Sequence, residues 1–236
     1  MTSRSGPGLV SGAIGEVRPV TNHLVRTFKP RRRRVSPARA QVMQRLAASH
    51  VLDETGPVLE LDAVFGREAP VVLEVGFGYG DATVAMAHHQ PELDLIAVDV
   101  HTPGVAGVLE AIEQDGLANV RVVQGDAIVF IDRLPACSLA GVRIFFPDPW
   151  PKVRQRHRRL VRPDLVARFV DKLAPGGVIH LATDVADYAA QMRNVCTNAD
   201  GLEPMSDVPW RPPTRYELKG RDAGRSSTDL AYRRRI

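Results

Sequence analysis

"VVLEVGFGYGDAT", residues 71–83, decides the fold. A short apolar run enters Gly76, Gly78 and Gly80, and helical spacing follows at once. Strands covered on both faces read as near-continuous apolar runs. Glycines allow the sharp turn and close ligand approach that a strand–helix junction needs. Working outward, "LDLIAVDV" (93–100), "VRVVQ" (120–124), "GVRIFF" (141–146) and "GVIHLAT" (177–183) repeat the strand signature. Residues 80–90, 104–116 and 163–174 between them have helical spacing. This alternation predicts an α/β fold: a doubly wound, mostly parallel sheet of the Rossmann-like type with helices on both faces.

Before that unit, "SPARAQVMQRLAASHVL" (36–52) predicts a helix with Ser36 as N-cap and Pro37 in the first turn. Residues 1–25 are rich in Gly, Ser and Pro and read as a mobile tail. The expected organisation is a flexible basic extension (1–35) and one domain (36–236). After about residue 200 a Pro-rich loop precedes the strand-like "TDLAYRR" (228–234).

The 236 residues suffice for one good core. A hydrophobic content of 44% and a charged content of 25% are those of a globular protein. The net charge of +4, from 31 basic and 27 acidic residues, is concentrated in 26–39, 152–162 and 211–235. Three separate basic runs point to a nucleic-acid partner. No apolar run is long enough to span a bilayer, and no signal-peptide core is evident, so a cytoplasmic protein is expected. Cys137 and Cys196 lack metal-ligand spacing and read as reduced thiols, with no metal expected. Monomer and homodimer both remain open.

Ligands of such sheets bind at the carboxyl ends of the strands, near the point where strand order reverses. Asp99 ends the second strand, where a carboxylate can accept both hydroxyls of a ribose. A dinucleotide would need a third glycine one residue later than Gly80, at the position held by Asp81. Glu74 adds a second carboxylate at the loop entry. Carboxylates beside a pyrophosphate are unfavourable, whereas an ammonium or sulfonium group welcomes them. S-adenosylmethionine is therefore favoured over a nicotinamide dinucleotide. Asp126, after the third strand, suits an adenine amino group or a helix N-cap.

"FFPDPWPKVRQRHRRL" (145–160) carries the rest. Pro147, Pro149 and Pro151 push the residues before them towards extended geometry, predicting a stiff strut through Phe146, Asp148 and Trp150. Trp150 reads as a base-stacking platform or a packing wedge. Lys152, Arg154, Arg156, Arg158 and Arg159, together with Arg31 to Arg34, read as phosphate contacts.

With "LEVGFGYG", "VDVHTPGV", "GDA", "LAPGGVIHLATD" and "PPTRYELKG", this stretch resembles the bacterial tRNA (guanine-N7)-methyltransferases from about Arg26 onward. The resemblance implies methyl transfer from S-adenosylmethionine to N7 of a guanine in the tRNA variable loop. It implies Glu74, Gly76, Gly78, Gly80, Asp99, Asp126, Ala127 and Asp148 around the cofactor, with Asp148 also catalytic. It implies Lys152, Asp184, Thr214, Arg215, Tyr216 and Glu217 on the guanine or RNA side. The chain departs from the family pattern at Asp99, usually Glu, and at Val185 and Ala186, usually an aromatic and an acid. It departs again at "GRSSTDL" (224–230), usually a Gly-His-Gly-Val-Trp-like stretch.

Guanine N7 has an in-plane lone pair and no proton, so the reaction asks for alignment rather than a general base. His101 is accordingly expected to be a loop residue. Competing readings are a methyltransferase acting on protein or small molecules, an RNA-binding module with a degenerate cofactor site, and a nicotinamide oxidoreductase.

Overall fold

The structure is a computed structural model describing residues 25–29 and 34–236. Residues 1–24 and 30–33 lie outside the described residues, and with them the reading of 1–25 as mobile and most of the Arg31 to Arg34 run.

Parallel strands β2 (Val71–Val75), β3 (Asp94–Asp99), β4 (Val120–Gln124), β5 (Leu139–Phe145) and β6 (Leu173–Thr183) form the centre of an eight-stranded sheet. Short β1 (Val51–Leu52) flanks β4 on one edge. On the other side, β8 (Thr228–Arg234) pairs antiparallel with β6, and β7 (Leu202–Pro204) pairs antiparallel with β8. The spatial order is β1-β4-β3-β2-β5-β6-β8-β7. Strand order reverses between β2 and β5, which places the switch point directly beyond the glycine loop.

Alternation along the strands sorts the core into two layers. Leu73, Val75, Ile96, Val98 and Val123 meet α5 (Ala127–Phe130), α6 (Pro163–Lys172) and α7 (Ala186–Thr197) on one face. Val72, Leu95, Ala97, Val120 and Val122 meet α4 (Thr102–Asp115) on the other, with α1 (Pro37–His50) outside it through Val42. Ser36 caps α1 by accepting from Arg39 N–H at 3.3 Å. Arg39 and Arg45 then bind Glu110 and Glu113 of α4. Helix α3 (Asp81–His89) begins directly at the glycine loop. Among the described residues are two further α-helices, α2 (Leu61–Phe65) and α8 (Arg215–Asp222).

The proline-flanked stretch departs from the extended strut expected of it. Phe146 and Trp150, each preceding a proline, have φ of 51° and 42°. Left-handed backbone is rare for bulky residues and costs on the order of 1–3 kcal/mol each. Tertiary contacts hold them there. Phe146 N–H donates to Ala182 O at 2.8 Å, and its ring packs beside Tyr216. Trp150 is 4% exposed, and its indole Nε1–H donates to Thr27 O at 2.8 Å. It is a packing wedge. Residues 25–29, assigned by the sequence to the flexible extension, thus lie packed against this turn through the buried Thr27.

Candidate functional site

Four adjacent parallel strands, in the order β4-β3-β2-β5, each deliver one carboxylate at or just past their carboxyl ends: Asp126, Asp99, Glu74 and Asp148. The loop between β2 and α3 is shaped by three glycines with positive φ. At Gly80, φ is 84° and a Cβ would lie 2.1 Å from Val108 Cγ2 of α4. Gly104 matters for the opposite partner, since a Cβ there would lie 1.8 Å from Gly78 O. These two positions let α4 press directly on the loop.

Asp99 ties that loop to β3. Its Oδ2 accepts from Gly78 N–H at 2.6 Å and its Oδ1 from His101 N–H at 2.8 Å. Each oxygen keeps a lone pair for a further donor. Burial raises its pKa, and the two backbone donors oppose the rise. His101 is buried, with Nδ1 3.1 Å from Gly78 O and its ring edge-on to Tyr79. It braces the loop.

Glu74 is 3% exposed, and its Oε2 has no hydrogen-bond partner among the described residues. Arg143 lies opposite it in β5 register, yet that guanidinium bonds Gln90 Oε1 at 2.6 Å and Met86 S at 3.2 Å. The Thr83 hydroxyl eases the charge from nearby without a hydrogen bond of good geometry. Burial therefore dominates and pushes the Glu74 carboxyl up to about 7. An orphaned buried carboxylate at a glycine loop, beside a second carboxylate able to take ribose hydroxyls, fits an ammonium-bearing nucleoside and disfavours a pyrophosphate.

Asp126 caps α5, its Oδ1 accepting from Ile128 N–H at 2.9 Å. Its own N–H donates to Glu54, and burial raises its pKa. Ala127 is buried behind it. Asp148 is half-buried on the proline-flanked turn, and its Oδ2 accepts from Lys29 N–H at 2.8 Å.

Among the residues expected on the substrate side, Asp184 Oδ2 accepts from Arg225 Nε at 2.7 Å. Thr214 caps α8 by accepting from Glu217 N–H at 3.1 Å. Arg215 binds Asp81 at 2.7 Å and lies over the Tyr79 ring, and Tyr216 is exposed next to Phe146. Glu217 behaves otherwise than its neighbours. It is buried, and its oxygens accept from Arg211, Arg221 and Ser227. Burial raises its pKa, but Arg211, Ser227 and Arg221 overcome it and hold the carboxyl down at about 2. The guanidinium of Arg211 also bonds both oxygens of Asp229, which His180 Nε2 approaches at 3.0 Å. Sequence reasoning missed this Arg211–Glu217–Asp229 cluster. The Thr214-x-x-Glu217 capping box was the available signal for α8.

The basic run separates into two kinds of residue. Lys152 and Arg154 are exposed and form no ion pair among the described residues. Arg156 is partly committed to Asp187 at 3.2 Å, and Arg158 lies 4.0 Å over the Trp150 ring. Arg159 corrects the expectation of a phosphate contact. It is 1% exposed, donates to Pro149 O and Gln191 Oε1 at 2.7 Å each, and binds Asp187. It underpins the turn instead.

A cavity of about 580 Å³ lies along α3 and α4, lined by Arg39, Tyr79, Asp81, His88 and Arg215. None of the four strand-end carboxylates lines it, so it adjoins the crevice without being its chemical centre.

Residues 68–230 match a family described as "Putative methyltransferase". The chain is 44% identical over 218 residues to a tRNA (guanine-N(7)-)-methyltransferase of Streptomyces avermitilis, covering 89% of this chain and 75% of that protein. It is 43% identical to the one of Mycolicibacterium paratuberculosis, covering 88% of this chain and 86% of the relative. Among solved structures, the aminoglycoside resistance methyltransferase NpmB1 matches with a TM-score of 0.52 and 18% identity over 76% of this chain and 95% of that one. The 16S rRNA methyltransferase KamB matches with a TM-score of 0.51 and 14% identity over 89% and 99%. At such identities these two speak for the Rossmann-like α/β methyltransferase fold alone. The sequence relatives speak for more: this chain belongs to the tRNA (guanine-N7)-methyltransferase family and is an enzyme.

Proposed function

We propose that the protein transfers a methyl group from S-adenosylmethionine to N7 of a guanosine in the variable loop of tRNA. The observation that carries this reading is the convergence of Glu74, Asp99, Asp126 and Asp148 at the ends of four adjacent parallel strands. The relatives' names supply the tRNA and the N7 position, and the residues fit the donor. Asp99 would hold the ribose hydroxyls, Asp126 the adenine edge, and Glu74 the ammonium group. Bound there, S-adenosylmethionine supplies an electrophilic methyl group on a sulfonium.

The chain's own contribution follows from the acceptor. N7 attacks through an in-plane lone pair, so nothing need be deprotonated. What is needed is collinear alignment, which can lower the barrier by about 7–11 kcal/mol when geometry is fixed. Positive charge appears on the guanine ring as the methyl arrives. A carboxylate on that side gains strength in the transition state, which raises turnover rather than mere binding. We assign that position to Asp148, which is half-buried on the proline-flanked turn. Lys152, Arg154 and Arg156 meet phosphates while the acidic centre meets the base. We read Asp184, Thr214, Arg215 and Tyr216 as the guanine-side wall, with Glu217 holding that wall in place.

The test is incubation with methyl-labelled S-adenosylmethionine and unmodified tRNA, followed by digestion and mapping. The expected product is 7-methylguanosine in the variable loop. Label in another nucleoside, or in protein only, overturns the reading.

A further inference from the structure

Residues 25–29 sit where a catalytic carboxylate needs a partner. The proline-flanked turn fixes the Asp148 backbone, but nothing in the turn itself holds its side chain, which has two free torsions. The Lys29 amide supplies the missing restraint, donating to Oδ2 at 2.8 Å. Among the described residues no other hydrogen bond reaches this carboxylate, so Oδ1 is left for a ligand.

The segment is itself anchored. Thr27 is 7% exposed, and its carbonyl receives the indole N–H of Trp150. Arg26 O accepts from Arg158 Nε at 3.1 Å. The Arg158 guanidinium and the Lys29 ammonium lie 4.0 and 5.4 Å from the Trp150 ring centroid. Beneath, Arg159 holds Pro149 O, so the turn is clamped from both sides. A cluster of this kind would be superfluous for an exposed tail, and it ends at one functional atom.

We infer that residues 25–29 are a positioning strap of the methyl-transfer site, in which the backbone N–H of Lys29 fixes the orientation of the Asp148 carboxylate towards guanine. The strap acts through Asp148, so the inference rests on the role proposed for that residue. It adds a determinant outside the β2–β6 framework, and one that depends on no side chain of its own at the contact. A second consequence concerns RNA. Arg158 serves the strap through its Nε and the indole through its guanidinium face, a role beyond the phosphate contact expected of it.

The test compares Lys29→Pro, which lacks the N–H, with Lys29→Ala, which keeps it and sets the baseline. An amide-to-ester exchange at position 29 removes the N–H without altering the side chain. It guards against a proline that disturbs the fold. Single-turnover rates are measured at saturating S-adenosylmethionine and tRNA, with calorimetric affinity for the cofactor alongside. Both N–H-deficient proteins should react at least about tenfold more slowly than Lys29→Ala, the order of loss expected of a misoriented group. Cofactor affinity should stay within about twofold. In an Asp148→Asn background the same changes should have little further effect on the rate, because the carboxylate charge that the N–H orients is already gone. Rates equal to Lys29→Ala, with Asp148→Asn still slow, would overturn the strap. A near-normal Asp148→Asn enzyme would instead overturn the role of the carboxylate.

Discussion

Glu74 is buried beside Thr83, Asp99 and an arginine already committed elsewhere, so protonation is its easiest route to staying buried. A carboxyl raised in the folded state lends stability below its unfolded pKa and loses it as pH climbs through the folded one. For Glu74 the window runs from 4.5 to about 7, and the loss amounts to as much as about 3 kcal/mol. Glu74→Gln should therefore raise the unfolding temperature of the ligand-free protein at pH 8 and flatten its pH dependence. Asp99 and Asp126, raised by burial in the same direction, would leave a residual slope. Binding a cation at Glu74 requires the charged form. Calorimetry at pH 6 in buffers of different ionisation enthalpy should then show proton release with S-adenosylmethionine, absent in Glu74→Gln. Asp148→Asn poses the complementary question, since it keeps shape and removes charge. Its single-turnover rate should fall by roughly a hundredfold, as for other oriented groups at developing charge, while tRNA affinity changes little. A rate within a few-fold of normal would leave alignment alone responsible.

Two elements owe their place to a single buried arginine each. Arg159 stitches the turn after β5 to α7, and removing it would take a donor from Pro149 O and Gln191 Oε1 and open space beneath Tyr188. Arg159→Ala should lower the denaturation midpoint, through lost packing and the lost donors to Pro149 O and Gln191 Oε1, and chemical denaturation would show it. Helix α8 depends likewise on Arg211 between Glu217 and Asp229, both held at about 2. Carboxyls depressed in this way give stability above their unfolded pKa near 4 that vanishes as pH falls through 2. Arg211→Ala should loosen α8 at neutral pH, seen as early proteolytic cleavage near residues 214–224, and should weaken that acid transition, with His180, Ser227 and Arg221 still acting on the two carboxyls. These elements also mark where the sequence stopped being legible. The five central strands were readable because burial on both faces leaves apolar runs. The helix at 215–222 buries Glu217 and Gly220 and exposes Tyr216 and Leu218, so it has no apolar stripe and shows only its capping box. Arg159 looks like Arg158 in a string of cations, and only the packing of α7 separates them. The left-handed turns at Phe146 and Trp150 contradict local preference because Ala182 and Thr27, distant in sequence, impose them.

At the scale of the molecule, cations and carboxylates occupy neighbouring parts of one crevice edge, so association and chemistry can be separated by salt. Phosphate contacts release counterions, and each one lost reduces the slope of log affinity against log salt by about one. Replacing Lys152 and Arg154 with Ala should lower that slope by about two without altering cofactor binding. An unchanged slope would remove this pair from the tRNA interface. The same sheet has a peculiarity of assembly. Strand β7 is made before β8, yet it reaches the sheet only through β8, which lies between it and β6. Asp229, one anchor of Arg211, belongs to that late strand. During synthesis, then, the proposed cofactor crevice can form while the proposed guanine-side wall still waits for β8 to emerge. A nascent chain with its central strands made could take up a methyl donor at the proposed site before β8 arrives to complete the proposed acceptor side.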